Sequence, residues 1–490
     1  MAAACRPEGE AMMRKVTLLT LAGLLLAAPS FASAPASGNC GRPPQSLAGA
    51  TTNEAIFAKD ACDPYSLAVM AYIWGKPFVD SAKIRVFFTK PDDPLASRPP
   101  SVAGAALNRF GHGRVLADPV NKSGVGPNND TLYSNATFDL QSGPFVVTTP
   151  NFGDRYYTFS VAHPDSSTSA SYGSRTHGPK LPQLFLHAAD YQGPIPVGMI
   201  EISSGDRYLH LWGRTLIRSA DDLPKVHALQ DAITVQRYRA DGTLEPVGDP
   251  PVQRQWPAGN DGRAFLRQLA VAIADMDLSP QDHAMALRLA PLLKAAQADQ
   301  WPAEIRGRAI EQGMIDGEEI ATHAAQGFGI LTGGWSVNLS GPRFGTDWLL
   351  RAAIAKDQIF VTVPEEAIYP IARTSADGVP LDGHSRYRIH FDAPPPVRYF
   401  WSITLYDDSG TMVANPVDRY SVGNRTPELA RADGTLRDIV ISSGRPRDAG
   451  ALWLPAPESK FYLMMRLYGP DDSIQTGQWL PPAIVKQPTS

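Results

Sequence analysis

Apolar residues recur along this chain with a period of either about 3.6 or two, and the switches between these periods divide it into blocks. Leu67, Met70, Ala71 and Trp74 stand at helical spacing and predict a helix from roughly Tyr65 to Gly75, which Pro77 ends or bends. From 130 to about 218 the period is two. In "RYYTFSVAH", Tyr157, Phe159 and Val161 share one face, with Tyr156, Thr158 and Ser160 on the other. "PFVVTTP", "MIEISSG" and "RYLHLWGRTLIR" read as further strands bounded by Gly, Pro and Asp. "DDLPKVHALQDAI" is a short helix with Pro224 in its first turn. Residues 261–326 are helical, with Phe265, Leu266, Leu269, Ile273 and Met276 on one apolar face and a Ser279 cap before Pro280; "FGTDWLLRAAIAKDQIF" adds another helix. From 363 to 486 the period returns to two: "SRYRIHF", "RYFWSITLYD" and "KFYLMMRLYGP" alternate, the last with Phe461, Leu463, Met465 and Leu467 together. The expectation is an α+β, β-rich fold of two antiparallel β-sandwich or jelly-roll-like domains joined by a helical segment. The blocks are 61–250 (N-terminal, β-rich), 251–360 (helical) and 361–490 (C-terminal sandwich).

The first sixty residues follow neither period. Arg14 and Lys15 precede the thirteen-residue apolar run Val16–Ala28, and small residues follow. That is a secretory leader, too short to span a bilayer, with cleavage expected after Ala32 or Ala36; Met12 or Met13 is an alternative start. Residues 37–60 read as a flexible segment. Cys5 leaves with the leader, so Cys40 and Cys62 would meet in an oxidising compartment, where they form a disulfide, stay free or bridge chains. Forty-four prolines in 490 residues, nearly twice the usual share of about 5%, favour short strands and loops over a bundle. The net charge of −4 is interspersed, and no basic stripe points to nucleic acid.

Familiar catalytic signatures are missing. "GGWSVN" approaches a nucleophile elbow, but Asn338 takes the place of its last glycine, which argues against Ser336. His384 and His390 share a strand face with Arg386 and Arg388, whose charge opposes a cation, so no metal and no cofactor is expected. His112, between glycines, is general-base material or a plain loop histidine. Three stretches combine amides, arginine and aromatics, a set suited to sugar-like or carboxylate ligands and equally at home in turns and ion pairs. They supply Asn128, Asn129, Asp130 and Tyr133; then Arg155 and Tyr156; then Trp401, Tyr406 and Arg419. Asp130 with Tyr133 is the candidate acid–base pair, and the others are candidate ligand contacts.

"GVGPNNDTLYSNATFDLQSGPFVVTTPNFGDRYYTFSV" resembles the domain of unknown function 1254. "DGVPLDGHSRYRIHFDAPPPVRYFWSITLYDDSGTMVANPVDRYSVGNR", with "WLPAPESKFYLMMRLYGPDDSIQTGQWLPPAIV", resembles the domain of unknown function 1214. The resemblance implies a two-domain, β-rich, often exported bacterial protein that forms homo-oligomers. It implies no particular reaction. The chain departs from the expected pattern at "AHPDSSTSASYGSRTHG", where an acidic residue and a longer polar run would stand. The functional expectation is a periplasmic or secreted ligand-binding or assembly module with a small-molecule ligand. The alternative is a periplasmic hydrolase or lyase acting on a sugar-like or carboxylate-bearing molecule.

Overall fold

The computed structural model describes residues 63–89, 99–120, 126–300, 308–448 and 450–488. The leader and both Cys40 and Cys62 lie outside the described residues. Among the described residues no helix is long and apolar enough to cross a membrane.

Two sandwiches, each of two packed sheets, are built mainly from the period-two blocks. The first sandwich pairs a sheet of order β1 (Phe110–His112), β2 (Thr131–Asp139), β8 (Tyr208–Leu216), β4 (Tyr157–Ala162), β5 (Thr168–Gly173) with one of order β10 (Leu244–Pro246), β9 (Thr234–Tyr238), β3 (Phe145–Thr148), β6 (Leu184–Ala188), β7 (Ile200–Ser204). Phe138, Phe145, Tyr157, Phe159, Leu184 and Leu211 fill the space between these sheets. The second sandwich sets β11 (Ile330–Thr332), β12 (Trp335–Val337), β14 (Ile371–Ala372), β20 (Phe461–Pro470), β16 (Val397–Asp407), β17 (Ser421–Gly423), with β13 (Ala367–Ile368) beside β20, against β19 (Leu452–Pro455), β18 (Ile439–Ser442), β15 (Arg386–Ile389), β21 (Val485–Gln487). Its core holds Trp335, Tyr387, Trp401, Ile403 and the Phe461, Leu463, Met465, Leu467 set that the alternation places together. The α+β, β-rich architecture follows the expectation, with two local exceptions. β6 with β7 and β18 with β19 pair in parallel, because each connection crosses back before the second strand begins.

The helices form a third layer. α1 (Pro64–Thr89), α3 (Gly262–Ile273), α4 (Pro280–Ala298), α5 (Arg308–Gln326) and α6 (Trp348–Gln358) pack around Trp74, Phe78, Leu269, Leu289 and Ile310, while α2 (Leu223–Asp231) lies on the first sandwich. α1 runs through Pro77 and is buried over most of its length, with Lys83 and Phe87 exposed near its C-terminal end. Interior proline costs about 3 kcal/mol, but burying Phe78 and Val79, both under 2% exposed, returns about 1.5–3 kcal/mol each. α5 crosses α1 closely enough that a Cβ at Gly313 would stand 2.6 Å from the Tyr65 carbonyl oxygen. α4 starts as its sequence dictates: the Ser279 hydroxyl accepts from the Asp282 amide and Pro280 fills the first turn.

Both faces of two central sheets are buried. The face of β4 and β8 turned away from the first core meets the face of β16 and β20 turned away from the second. Tyr156 accordingly packs its ring on Phe400 and Tyr468, with centroids 5.3 and 5.4 Å apart. This sheet-on-sheet seam carries the polar phase of four strands into the interior.

Candidate functional site

Turn chemistry builds the seam's edge. In "GPNNDTLY" the Asn128 side chain accepts from the Asp130 amide, and its Nδ2 donates to the Tyr468 hydroxyl at 2.6 Å. The Asn128 amide donates to the Tyr133 hydroxyl at 3.1 Å. Asn129 Nδ2 donates to the Ala117 carbonyl at 2.6 Å, and Tyr406 donates to the Pro127 carbonyl at 2.6 Å. The turn is thus sewn to the second sandwich.

Asp130 is fully buried, and both its oxygens are engaged. Oδ2 accepts from the Ser402 hydroxyl at 2.6 Å, and Oδ1 accepts from the Arg425 guanidinium. Arg425 also donates to the Ile217 carbonyl at 2.7 Å. Arg155 makes a two-pronged ion pair with Asp222, one arm at 2.7 Å, and donates to the Leu216 carbonyl. That pairing holds the Asp222 carboxyl below the usual carboxylate range. The Tyr156 hydroxyl donates at 2.6 Å to Glu366, whose other oxygen accepts from Arg175 at 2.8 Å. Burial nevertheless raises the Glu366 pKa, outweighing those hydrogen bonds.

Two expected contacts lie elsewhere. Trp401 points into the second sandwich core at 1% exposure, in phase with Ile403 and Leu405, and stacks near Phe391. Arg419 sits on an outer loop, donating to the Trp453 carbonyl at 3.0 Å and reaching Glu428. Ser336 is tied to the main chain of Phe328, His384 to Asp382 and His390 to Asp438. His112 belongs to an edge strand rather than a loop. Burial, with Arg114 adding to it, lowers its pKa to about 4, which makes it a weak base.

What the structure brings together is a cavity of about 70 Å³ in the seam, lined by Asn128, Tyr133, Arg214, Tyr369, Arg466 and Tyr468. Register explains it: Tyr133 of β2 lies directly across from Arg214 of β8, so both side chains leave the sheet on the seam face. Arg466 is 2% exposed and donates to Thr404 at 2.9 Å, Gly126 O at 2.7 Å and the Tyr406 hydroxyl at 2.9 Å, all neutral acceptors. Burial pushes Tyr406 up to about 12 against the pull of Arg466, and holds Tyr468 well above 10, so both phenols stay protonated. Arg214 is 8% exposed, and its Nη1 has no hydrogen-bond partner among the described residues. The cavity holds a few waters or one carboxylate-sized group. Across the Asp357 wall lies a cleft of about 560 Å³, lined by Lys356, Arg373, Asp408, Lys460 and Tyr462, large enough for a small-molecule body.

Of the residues expected from sequence, Asn128 and Tyr133 reach the cavity. Asp130, Tyr406, Tyr156, Asn129 and Arg155 hold its surroundings together. Arg214, Arg466, Tyr369 and Tyr468 escaped the sequence reading. The signal for the two arginines was a cation in mid-strand with no clean polar alternation around it, in "YLHLWGRTL" and "FYLMMRLYGP", which marks a strand buried on both faces; nothing comparable marked Tyr369.

Residues 107–237 match the family described as "Protein of unknown function (DUF1254)", and residues 366–472 match "Protein of unknown function (DUF1214)". The cavity lies where the two meet: Asn128, Tyr133 and Arg214 fall in the first match, Tyr369, Arg466 and Tyr468 in the second. No curated protein matches the chain. The crystal structure of the VPA0106 protein from Vibrio parahaemolyticus is similar at 25% identity and a TM-score of 0.58, covering 87% of this chain and all of that one. An uncharacterised protein from Burkholderia cenocepacia aligns at 13% identity and a TM-score of 0.42, over 88% of this chain and 96% of that one.

Proposed function

From a chain that belongs to the proteins carrying an N-terminal DUF1254 domain and a C-terminal DUF1214 domain, we propose a periplasmic or secreted binding protein for a small carboxylate-bearing molecule. Its site is the seam cavity, and the ligand held there is not turned over. One observation carries the reading: the unpartnered Nη1 of buried Arg214, in a cavity shared with Arg466, whose hydrogen bonds all go to neutral groups. A buried charge without a counter-ion is expensive, and a forked guanidinium fits a carboxylate in two-pronged fashion. The neighbouring cleft offers room for the ligand's body. The alternative of a hydrolase or lyase worked by Asp130 loses its acid–base group to the Arg425 and Ser402 contacts. Export rests on the Arg14–Ala36 leader, and a homo-oligomer on the family resemblance.

Calorimetry of the mature chain with acetate, succinate, gluconate and inorganic phosphate tests this. At least one carboxylate binds, and Arg214→Gln weakens it by about 10- to 100-fold, the value of one charge-assisted hydrogen bond. No heat from any of them, or unchanged affinity in Arg214→Gln, overturns the reading. N-terminal sequencing of the exported chain checks the leader, expecting a start at residue 33 or 37. Light scattering checks the assembly, expecting a dimer or larger.

A further inference from the structure

A second polar constellation lies away from the seam, at the tip of the β4–β5 hairpin. His163 follows the last residue of β4, and Ser169 belongs to β5. The pairing slips between them: Val161 faces Ala170 and Ala162 faces Thr168, so Ser169 is the extra residue of a β-bulge. A bulge re-aims the side chain it carries. Here the Ser169 hydroxyl, on an exposed residue, comes to 3.0 Å from His163 Nε2. The other ring nitrogen, Nδ1, stands 3.1 Å from Asp206 Oδ2 in the turn between β7 and β8. Asp206 is itself held: its Oδ1 accepts from the Asp277 amide at 3.0 Å and its Oδ2 from the Ser204 hydroxyl at 3.3 Å. His163 and Asp206 are mostly buried, with side chains 19% and 11% exposed. All three groups line a crevice of about 250 Å³ that also has the apolar wall Met276 and Leu278.

We propose that Ser169, His163 and Asp206 form a nucleophile–base–orienting triad that hydrolyses short-chain acyl esters. The connectivity is the one this chemistry needs: hydroxyl to one imidazole nitrogen, carboxylate to the other, and the carboxylate fixed by a main-chain donor. Ser169 Oγ attacks the ester carbonyl carbon while its proton passes to His163 Nε2. The carbon–alkoxy bond then breaks, and the leaving alkoxide takes that proton, leaving an acyl-serine. Water attacks the acyl carbon, gives one proton to His163 and expels Ser169, which recovers its proton as the carboxylic acid departs. The crevice also carries Asp165, Asp277 and Asp282, with Arg351 paired to Asp165 and Asp282 behind it. That excess of negative charge disfavours acidic substrates and selects uncharged or cationic esters.

Burial pulls the His163 pKa down, but the hydrogen bond and charge of Asp206, with Asp165 adding, leave it raised above 6.5. His210 lies near enough for His163 to lower its own pKa, and Asp277, Asp282 and Arg351 complete the charged surroundings. Only neutral His163 accepts a proton, so the rate rises with pH as it deprotonates. The test uses the mature full chain with p-nitrophenyl acetate and a fluorophosphonate probe. The expected result is turnover above buffer, covalent labelling at Ser169, and loss of both by at least about 100-fold in Ser169→Ala and His163→Gln. Ser169→Ala, being exposed, keeps its melting temperature, so its loss of rate cannot be read as unfolding. A rate no faster than buffer, labelling elsewhere, or full activity in folded Ser169→Ala overturns the proposal.

Discussion

The helical layer and the seam are both buried, yet they are held together by opposite means. In the helical layer the interior is apolar from Tyr65 through Ile310, and its buried Arg351 has a counter-ion: it meets Asp282 at 2.9 Å, while Trp74 Nε1 donates to the same carboxylate at 2.7 Å; Arg85, near the end of α1, donates to Gln253 instead. In the seam, phenols, amides and arginines outnumber carboxylates, and Arg214 has no ion pair among the described residues, whereas Arg351, though its Nε is also unpartnered, is paired with Asp282. A layer that only has to be stable can answer a deeply buried charge with a carboxylate of its own, as Asp282 answers Arg351. An interface that keeps a cation without a counter-ion accepts a loss of stability, and such a loss is typical of sites that recruit something from outside.

The difference breaks most visibly under large-to-small substitution. Leu269, 0% exposed, packs its Cδ atoms against Gly75 of α1. Leu269→Ala removes that plug and is expected to cost about 2–5 kcal/mol in urea unfolding, with ligand affinity untouched. If ligand affinity fell in step with stability, the layer would be part of the site. Next in size is Arg425→Ala, which leaves Asp130 buried and unpaired; because the Arg425 side chain is 24% exposed, the expected cost is about 2–3 kcal/mol, below the 3–5 of a fully buried pair. A cost under 0.5 kcal/mol would mean that this pair does not clamp the two sandwiches.

Arg214→Met sharpens the contrast in the other direction. Replacing an uncompensated buried guanidinium by an apolar chain of similar length is expected to stabilise the ligand-free protein by about 1–2 kcal/mol while abolishing carboxylate binding. The corresponding change in the helical layer, Arg351→Met, strands Asp282 and should destabilise. Equal signs for the two arginines, measured by thermal and urea unfolding, would erase the distinction between a paired and a recruiting charge.

The sequence carried the elements well and the partners poorly. Alternation placed Phe461, Leu463, Met465 and Leu467 on one face, and they do share a core. The same alternation puts Trp401 in phase with Ile403 and Leu405, so its place in that core was readable, although its chemistry drew it into the ligand set. Pro77 looked like a helix end or bend, because its local cost was visible and the packing of Phe78, within a helix that runs on to Thr89, was not. Arg155 resembled a ligand arginine because the Asp222 that answers it lies 67 residues downstream. Tyr156, Thr158 and Ser160 stand opposite the apolar set, with nothing in the sequence to say what covers them; they are buried because a second sheet does. Arg214 and Arg466 were hidden for the same reason: a period of two tells which residues share a face, and nothing about what that face meets.

The smallest expected effect is the most specific, because it turns on sign. Burial works against the charged form of Asp282, but the charge of Arg351 and the hydrogen bonds from Arg351, Trp74 and Ser279 outweigh it, so its pKa is lowered. A carboxyl held lower in the folded than in the unfolded state contributes stability above its unfolded pKa of about 3.9 and loses it as pH falls through the folded value. Glu366 in the seam is the reverse case. Burial raises its pKa from 4.5 despite Tyr156 and Arg175, so the folded chain holds that proton more tightly than the unfolded one. Its contribution is fully present below the unfolded value and is lost as pH rises through the folded one. Urea unfolding of Asp282→Asn and Glu366→Gln from about pH 3 to 7 should therefore diverge. Asp282→Asn loses less stability than wild type on acidification, and Glu366→Gln gains on wild type as pH rises above 4.5. If Glu366→Gln instead fell behind wild type toward neutral pH, Glu366 would be a satisfied anion like Asp282, and the seam would differ from the helical layer only at Arg214.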